Sequence, residues 1–178
     1  MIFTETRLKG SFLVDLEKIE DSRGFFARTW CQRECDKLGI TFTPVQCNIS
    51  YNKSKGTLRG MHFQSAPYEE AKLVACIKGG IFDVIIDLRS DSPTFLQHIS
   101  IVLSAENYRM IYIPKGFAHG FQTLQDDTEV FYQMSEFYFS EYAQGVRWND
   151  PAFGIKWPDD ARLISDRDQR YQDFVVAP

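Results

Sequence analysis

The chain has 178 residues, of which 44% are hydrophobic and 15% aromatic, and its formal net charge is −4 at pH 7. This length and composition predict a single domain over residues 1–178 with a sizeable core, and they exclude a fibrous or disordered chain. The acidic balance excludes a general electrostatic attraction to nucleic acid or to anionic membranes.

No segment approaches the ~20 consecutive apolar residues that span a bilayer, and the first residues lack the layout of a signal peptide. We therefore expect a cytoplasmic protein that binds neither membranes nor nucleic acid. The cysteines form neither close-spaced metal pairs nor a dense disulfide framework, so we expect free thiols. They are Cys31, Cys35, Cys47 and Cys76.

The first element in chain order is a short helix. Cys31, Cys35 and Leu38 recur at i, i+4 and i+7, and Gly39 is well placed to end the helix. Beyond it, apolar and polar residues alternate with a period of two, which predicts strands. The predicted strands cover residues 72–77, 81–89, 97–103, 108–113, 120–124 and 128–138.

Within residues 81–89, Asp83 and Asp87 fall on the same face as Ile81 and Ile85. The preceding Gly79 and Gly80 predict a hairpin turn between the strands at 72–77 and 81–89. Residues 165–170 predict one helical turn near the end of the chain, capped by Ser165. Many short strands at close spacing indicate an all-β sandwich or barrel.

Two segments concentrate polar side chains between glycines. Residues 56–64, GTLRGMHFQ, bring Arg59, His62 and Gln64 close together in the chain. Residues 113–121, IPKGFAHGF, form a P-x-G-x-x-H pattern that turns the chain and delivers His119 to the next strand. This second pattern resembles the second conserved motif of the cupins, a jelly-roll superfamily.

In their order and spacing, these and five further groups of segments resemble the dTDP-4-dehydrorhamnose 3,5-epimerase family over nearly the full length. The further segments are DSRGFF at 21–26, QCNIS at 46–50, DVIIDLR at 83–89 with SPT at 92–94, RWNDP at 147–151 with IKWP at 155–158, and LISDRD at 163–168. The resemblance implies a jelly-roll, cupin-like β-sandwich with a few short helices. It also implies an isomerase without metal or organic cofactor that epimerises a nucleotide-linked 4-keto-6-deoxyhexose at C3, C5 or both, for deoxysugar biosynthesis. The type reaction converts dTDP-4-dehydro-6-deoxyglucose to dTDP-4-dehydrorhamnose.

Such a reaction needs a base beside the ketone, a donor for the enolate oxygen and an acid on the opposite face. The resemblance makes His62 the base, which titrates near neutrality, and Asp168 the carboxylate that fixes its tautomer. It places Lys72 at the enolate oxygen. It makes Tyr132 the acid.

The residues alone leave plainer alternatives open. His62 could be a satisfied core histidine, and Lys72 an ordinary surface lysine at the start of a strand. Asp168 could close a capping box begun by Ser165. Tyr132 could simply pack in the core.

The resemblance also implies substrate contacts from arginines suited to a diphosphate, amides suited to a sugar or base, and aromatic rings for flat groups. These residues are Arg23, Phe26, Gln46, Asn48, Arg59, His119, Tyr138 and Arg167. His119 could bind the sugar or the enolate, or brace its turn. On a straight strand Tyr138 would lie ~20 Å from Tyr132, so we do not expect the two to serve the same atom.

The resemblance further implies a homodimer whose N-terminal strands cross to the partner, so that Arg23 and Phe26 complete the neighbouring site. Arg28 and Ala143 stand where the family usually has glutamates. Because two acids are lost, these departures predict a more positive pocket and a substrate preference that differs from the dTDP-linked default in the nucleotide, the sugar or the inverted carbons. The alternative is that nearby groups such as Glu141 take over the lost contacts and the preference stays the same.

Other functions remain as alternatives. A metal cupin commonly needs an H-x-H pair, but His62 is followed by Phe63 and Gln64, and His98 and His119 are the other histidines. A non-catalytic sugar-binding module on the same fold is a second alternative. Epimerisation at C3 or C5 alone, or migration of the ketone, is a third.

Overall fold

The computed structural model describes residues 1–160 and 163–175, and these residues fold into two antiparallel sheets and two short helices. The strands are β1 (Ile2–Glu5), β2 (Phe12–Asp15), β3 (Ile19–Asp21), β4 (Gly24–Phe26), β5 (Gln46–Asn52), β6 (Thr57–Gln64), β7 (Lys72–Lys78), β8 (Gly80–Asp87), β9 (His98–Ser104), β10 (Met110–Ile113), β11 (Phe117–Thr123), β12 (Thr128–Met134), β13 (Ala143–Gly145) and β14 (Leu163–Ile164). The helices are α1 (Gln32–Lys37) and α2 (Asp166–Gln169).

The first sheet has the strand order β1-β2-β10-β7-β12-β5, and the second has the order β13-β6-β11-β8-β9. β14 adds to β6 in parallel, and β3 pairs only with β4 as a separate two-stranded ribbon. The prediction of an all-β sandwich is confirmed. None of the described helices is long and apolar enough to cross a membrane.

The main core lies between the two sheets. Val74 and Val130 from the first sheet and Ile81 and Ile85 from the second are fully buried in one cluster. Burial of such a side chain contributes about 1.5–3 kcal/mol each. The opposite face of β8 packs in a separate cluster that includes Val84, so both faces of this strand are covered.

The predicted hairpin at Gly79 and Gly80 is wrong. β7 and β8 lie in different sheets, so the turn carries the chain from one sheet to the other. The local turn signal is real, because Gly79 has φ +74° and a Cβ there would lie 2.4 Å from Thr128 Oγ1. The two glycines predict a turn but do not show which strands the flanking segments pair with. That pairing depends on strands that are distant in the chain.

Both predicted helices form. α1 ends before Gly39, whose φ is +68°, and Ser165 Oγ caps α2 by accepting a hydrogen bond from the Asp168 N–H. Most predicted strand bounds differ from the structure by one or two residues, and two differ by more. β11 begins at Phe117 rather than at residue 120, and β12 ends at Met134 rather than at residue 138. All four cysteines are unpaired.

Candidate active site

A cavity of about 230 Å³ is lined by residues from both sheets. β6 and β11 of the second sheet supply one wall, and β7 and β12 of the first sheet supply the facing wall. The sequence-predicted residues that line it are Arg59, His62, Lys72, His119, Tyr132, Tyr138 and Arg167.

His62 and Asp168 are brought together although 106 positions separate them in the chain. His62 Nε2 lies 2.7 Å from Asp168 Oδ1, and Asp168 Oδ2 accepts the Gly60 N–H at 3.1 Å. Gly60 can make this contact because its φ is +139° and its Cα lies against Gly120, where a Cβ would come within 2.5 Å. The carboxylate therefore pairs with the histidine, while Ser165 independently caps α2.

The surroundings of Asp168 favour its ionised form. Burial alone would raise the pKa of Asp168, but the hydrogen bond and charge of His62 and the Gly60 N–H lower it below its usual value. Because an ionised carboxylate only accepts hydrogen bonds, His62 Nε2 carries the proton of this bond. Nδ1 is then the nitrogen free to act as a base.

A tyrosine that the sequence did not single out packs against His62. The ring centroids of His62 and Tyr171 are 6.1 Å apart with an interplanar angle of 69°. Tyr171 fits there because residue 145 is glycine, since a Cβ at Gly145 would lie 2.3 Å from two carbons of the ring. Tyr171 thus limits the freedom of the imidazole from the side of the C-terminal segment.

Lys72 enters the cavity at the start of β7 and is held by two acceptors. Its Nζ lies 2.8 Å from Glu70 Oε1 and donates to the His62 carbonyl oxygen at 3.3 Å. Lys72 is therefore a buried ion-paired ammonium rather than a surface lysine. Glu70 was not anticipated, although it stands two residues before Lys72, where strand geometry would place both on one face.

Tyr132 lies on β12 and shares a strand face with Val130 and Met134, as its spacing predicts. Burial raises the pKa of Tyr132, and the nearby Arg59 charge only partly opposes this. The phenol therefore stays protonated at neutral pH. It faces the cavity from the sheet opposite to His62.

His119 forms a second histidine–carboxylate pair. It is the register partner of His62 across β6 and β11, and its Nε2 lies 2.7 Å from Asp83 Oδ2. The other oxygen, Asp83 Oδ1, is buried without a hydrogen-bond partner. The sequence places Asp83 on the same strand face as Ile81 and Ile85. A carboxylate on such an apolar face needs a buried partner, and this signal could have identified Asp83 as the partner of a histidine.

Polar groups surround the opening of the cavity. Arg59 Nε donates to Asn52 Oδ1, while Arg167 donates to the Tyr138 hydroxyl at 3.4 Å and to the Ala143 carbonyl at 3.0 Å. Because β12 ends at Met134, the chain turns and brings Tyr138 back to the cavity that Tyr132 also lines. The straight strand on which the expected separation of the two tyrosines rested therefore does not form.

Comparisons with known proteins identify the family of the chain. The model of the dTDP-4-dehydrorhamnose 3,5-epimerase family matches residues 5–175. The curated dTDP-4-dehydrorhamnose 3,5-epimerase of Shigella flexneri is 40% identical over 174 residues, which are 97% of this chain and 96% of that one. The chain belongs to this epimerase family. The predicted family and the predicted enzyme class, an isomerase, are confirmed.

Two solved structures of the family share the whole architecture. The Bacillus anthracis epimerase, with TDP and PPi bound, has a TM-score of 0.93 and 41% identity, covering 97% of this chain and 99% of that one. The Legionella pneumophila epimerase, in complex with dTDP-4-keto-L-rhamnose, has a TM-score of 0.86 and 36% identity, covering 94% and 89%.

Two predicted substrate residues, Gln46 and Asn48, lie on β5 just outside the cavity lining. Gln46 donates to Asn48 Oδ1 and accepts the Tyr138 N–H. On the same strand face, Ser50 lines the cavity and its buried hydroxyl has no partner. Ser50 was missed, although the alternation from Asn48 would place it on this face.

Arg23 and Phe26 are not brought to the cavity of their own chain. They belong to the exposed β3–β4 ribbon, where Arg23 is paired with Asp21 and Phe26 is 67% exposed. Of the two departures from the family pattern, Arg28 pairs with Glu34 at 2.9 Å, and Ala143 lines the cavity. Only Ala143 therefore changes the cavity of the same chain.

The described residues contain no group of three or more His, Cys, Asp or Glu side chains arranged to hold a metal ion. His62 and His119 are neighbours, but each ring is bonded to its own carboxylate, Asp168 or Asp83. These two pairs suit proton transfer and orientation.

Proposed function

We propose that the cavity epimerises a dTDP-linked 4-keto-6-deoxyhexose by proton transfer at the carbons beside the ketone. One observation carries the proposal. A histidine paired with an ionised carboxylate stands on one sheet, and a buried ammonium and a protonated phenol stand on the sheet that faces it. Inversion of a carbon requires a base and an acid on opposite sides of it.

In the first step, His62 Nδ1 takes the proton alpha to the ketone, and Asp168 stabilises the imidazolium that forms. The electron pair moves toward the carbonyl oxygen, where Lys72 donates a hydrogen bond to the enolate. An oxyanion donor of this kind contributes about 2.7–4 kcal/mol to transition-state stability.

In the second step, Tyr132 returns a proton to the carbon from the other face. The raised pKa of Tyr132, caused by burial, keeps this proton in place until the enolate forms. The resulting phenolate recovers a proton from solvent, and His62 releases its own. The enzyme ends the cycle as it began.

The nucleotide would bind where the cavity opens. Arg59 and Arg167 offer guanidinium groups there, which suit a diphosphate because a planar fork binds two oxygens. Tyr138 and the unpartnered Ser50 hydroxyl are further contacts. The ligands named for the two solved relatives, TDP and dTDP-4-keto-L-rhamnose, support a dTDP-linked substrate.

The site would be completed in a homodimer. The β3–β4 ribbon stands apart from both sheets with Phe26 exposed, and the edge strand β5 exposes Ile49 and Tyr51. Both features favour burial against a second copy, which would receive Arg23 and Phe26 at its own cavity. Light scattering should give the mass of two chains, and a monomer that is fully active would contradict this part of the proposal.

The decisive experiment is incubation with dTDP-4-keto-6-deoxyglucose in deuterated water, with NMR of the product. We expect deuterium at C3 and C5 together with inversion at both carbons. Deuterium at one carbon only would replace this proposal with a single-site epimerase, and no exchange at all would reject it. The CDP-, UDP- and GDP-linked analogues are the control for the nucleotide, and we expect lower kcat/KM for them.

The Tyr132→Phe variant tests whether His62 removes the proton and Tyr132 returns it in separate steps. His62 should still remove the proton, so deuterium should enter with retention of configuration while net inversion falls by ~10²-fold or more. An equal loss of exchange and inversion would mean that Tyr132 only shapes the cavity. Unchanged inversion would assign the acid to another group.

A further inference from the structure

Glu70 lines the cavity but has no role in the proton transfers proposed above. Among the described residues that line the cavity, Glu70 is the only carboxylate, and it shares the space with Arg59, Lys72 and Arg167. Its side chain is 4% exposed, and that of Lys72 is 8% exposed. A carboxylate buried to this degree needs a specific role, because desolvating an ion is costly unless it is paired.

Glu70 is fixed at both of its oxygens. Oε1 lies 2.8 Å from Lys72 Nζ, and Oε2 accepts the Gln64 N–H at 3.0 Å. Gln64 is itself anchored, since its side-chain amide donates to the carbonyls of Tyr68 and Phe137 and accepts the Phe139 N–H. The carboxylate therefore has one defined orientation, set by the backbone at the end of β6.

The protons of the Lys72 ammonium can be counted. An ammonium has three N–H donors in a tetrahedral arrangement. One is directed to Glu70 Oε1 and a second to the His62 carbonyl, which leaves one for the cavity. Two fixed acceptors thus determine the direction of the third donor.

We propose that Glu70 is a positioning residue that keeps Lys72 charged and directs its remaining N–H toward the enolate oxygen. The inference rests on the proposed function, since it concerns the donor for that enolate. Because both oxygens of Glu70 are already bonded, to Lys72 and to the Gln64 N–H, the proposal gives it no contact with the reacting carbon. Its effect on the reaction passes through Lys72.

A carboxylate suits this role better than an amide would. Glutamine has nearly the same shape and could still accept hydrogen bonds, but it would leave a buried ammonium without a counter-ion. Such an ammonium is destabilised and loses its proton more readily. A neutral amine is a poor partner for a developing enolate charge.

The test compares Glu70→Gln with the matched control Glu69→Gln, the same change one residue earlier. For Glu70→Gln we expect kcat for epimerisation and for deuterium wash-in to fall by ~10-fold or more, with KM within about threefold of the native value. Glu69→Gln should keep the native kcat and the native KM.

A cycle with Lys72→Met shows whether Glu70 acts through Lys72. The double variant should be no slower than Lys72→Met alone, because Glu70 then has nothing to position. Glu70→Asp, which keeps the charge, should recover part of the kcat lost in Glu70→Gln. Thermal unfolding of each variant identifies any that fails to fold. If Glu70→Gln fails to fold, the comparison of the double variant with Lys72→Met becomes the test.

A native kcat in folded Glu70→Gln would overturn the inference, as would losses that simply multiply in the double variant. Both results presuppose a native enzyme that epimerises the substrate, so they leave the proposed function standing. A native enzyme without exchange would instead reject the proposed function and this inference with it.

Discussion

The two histidine–carboxylate pairs of the cavity have the same chemical groups at the same distance but different surroundings. In each pair the imidazole Nε2 lies 2.7 Å from a carboxylate oxygen. The side chain of His62 is 41% exposed, whereas that of His119 is 11% exposed. Asp168 uses its second oxygen to accept the Gly60 N–H, whereas the second oxygen of Asp83 has no partner.

This difference indicates that the His62–Asp168 pair is suited to proton transfer, whereas the His119–Asp83 pair is suited to a structural role in the lining of the cavity. A base must reach its substrate and must be stabilised when it becomes charged, and the His62–Asp168 pair meets both needs. The His119–Asp83 pair is buried on both sides, and its carboxylate is only half satisfied. A histidine–carboxylate contact alone therefore does not identify a base, because access and the second carboxylate oxygen decide its role.

Replacement of the two histidines should give the largest contrast. His62→Asn should lower kcat for exchange at C3 and C5 by ~10³-fold or more, because the base is removed. His119→Asn should lower it by only ~10-fold. Deuterium incorporation measured by NMR checks both variants, and a His62 variant with near-native exchange would refute the assignment of the base.

Replacement of the two carboxylates should give the next largest contrast. Asp168→Asn should lower kcat by ~10²-fold or more, because an amide neither fixes the required tautomer nor stabilises the imidazolium. Asp83→Asn should lower it by less than ~10-fold, since His119 keeps one acceptor. Steady-state kinetics checks this, and equal losses in the two variants would remove the distinction between the pairs.

The smallest expected effect concerns Tyr171, whose ring packs edge-on against His62, whereas the ring beside His119 is that of Phe121 on the same strand, tilted by 41°. Gly145→Ala should displace Tyr171, costing about 1–3 kcal/mol of stability and several-fold in kcat. Gly80→Ala is the matched control, because a Cβ there meets its neighbours at 3.7 Å or more. Thermal unfolding and kcat measure both effects, and identical behaviour of the two variants would show that Tyr171 does not constrain the base.

Much of the fold was readable from the sequence, because strand alternation is a local property. The two faces of β8 and both short helices followed from spacing alone. The turn at Gly79 was misassigned because sheet membership depends on distant strands. The end of β12 was misplaced because Tyr138 continues an aromatic pattern after the chain has left the sheet.

The site was only partly readable. Local sequence favours Asp168 as a cap, and only the family resemblance pointed to His62, 106 residues away. In the structure Ser165 Oγ accepts the Asp168 N–H, but the carboxylate oxygens of Asp168 bond to His62 and to the Gly60 N–H instead of closing a capping box. Glu70 and Asp83 were missed as partners because each acts on a side chain whose own role had to be known first.

His62 and Tyr132, the proposed base and acid, lie on different sheets, and this placement bears on which substrates can react. Stacked sheets lie ~10 Å apart, and here buried side chains such as Val74 and Ile85 maintain that spacing. In the proposed mechanism the sugar ring must contact both sheets at once, so the distance between the sheets limits the rings that can react. Core substitutions that change this distance should therefore change which sugars are inverted, even though they do not line the cavity.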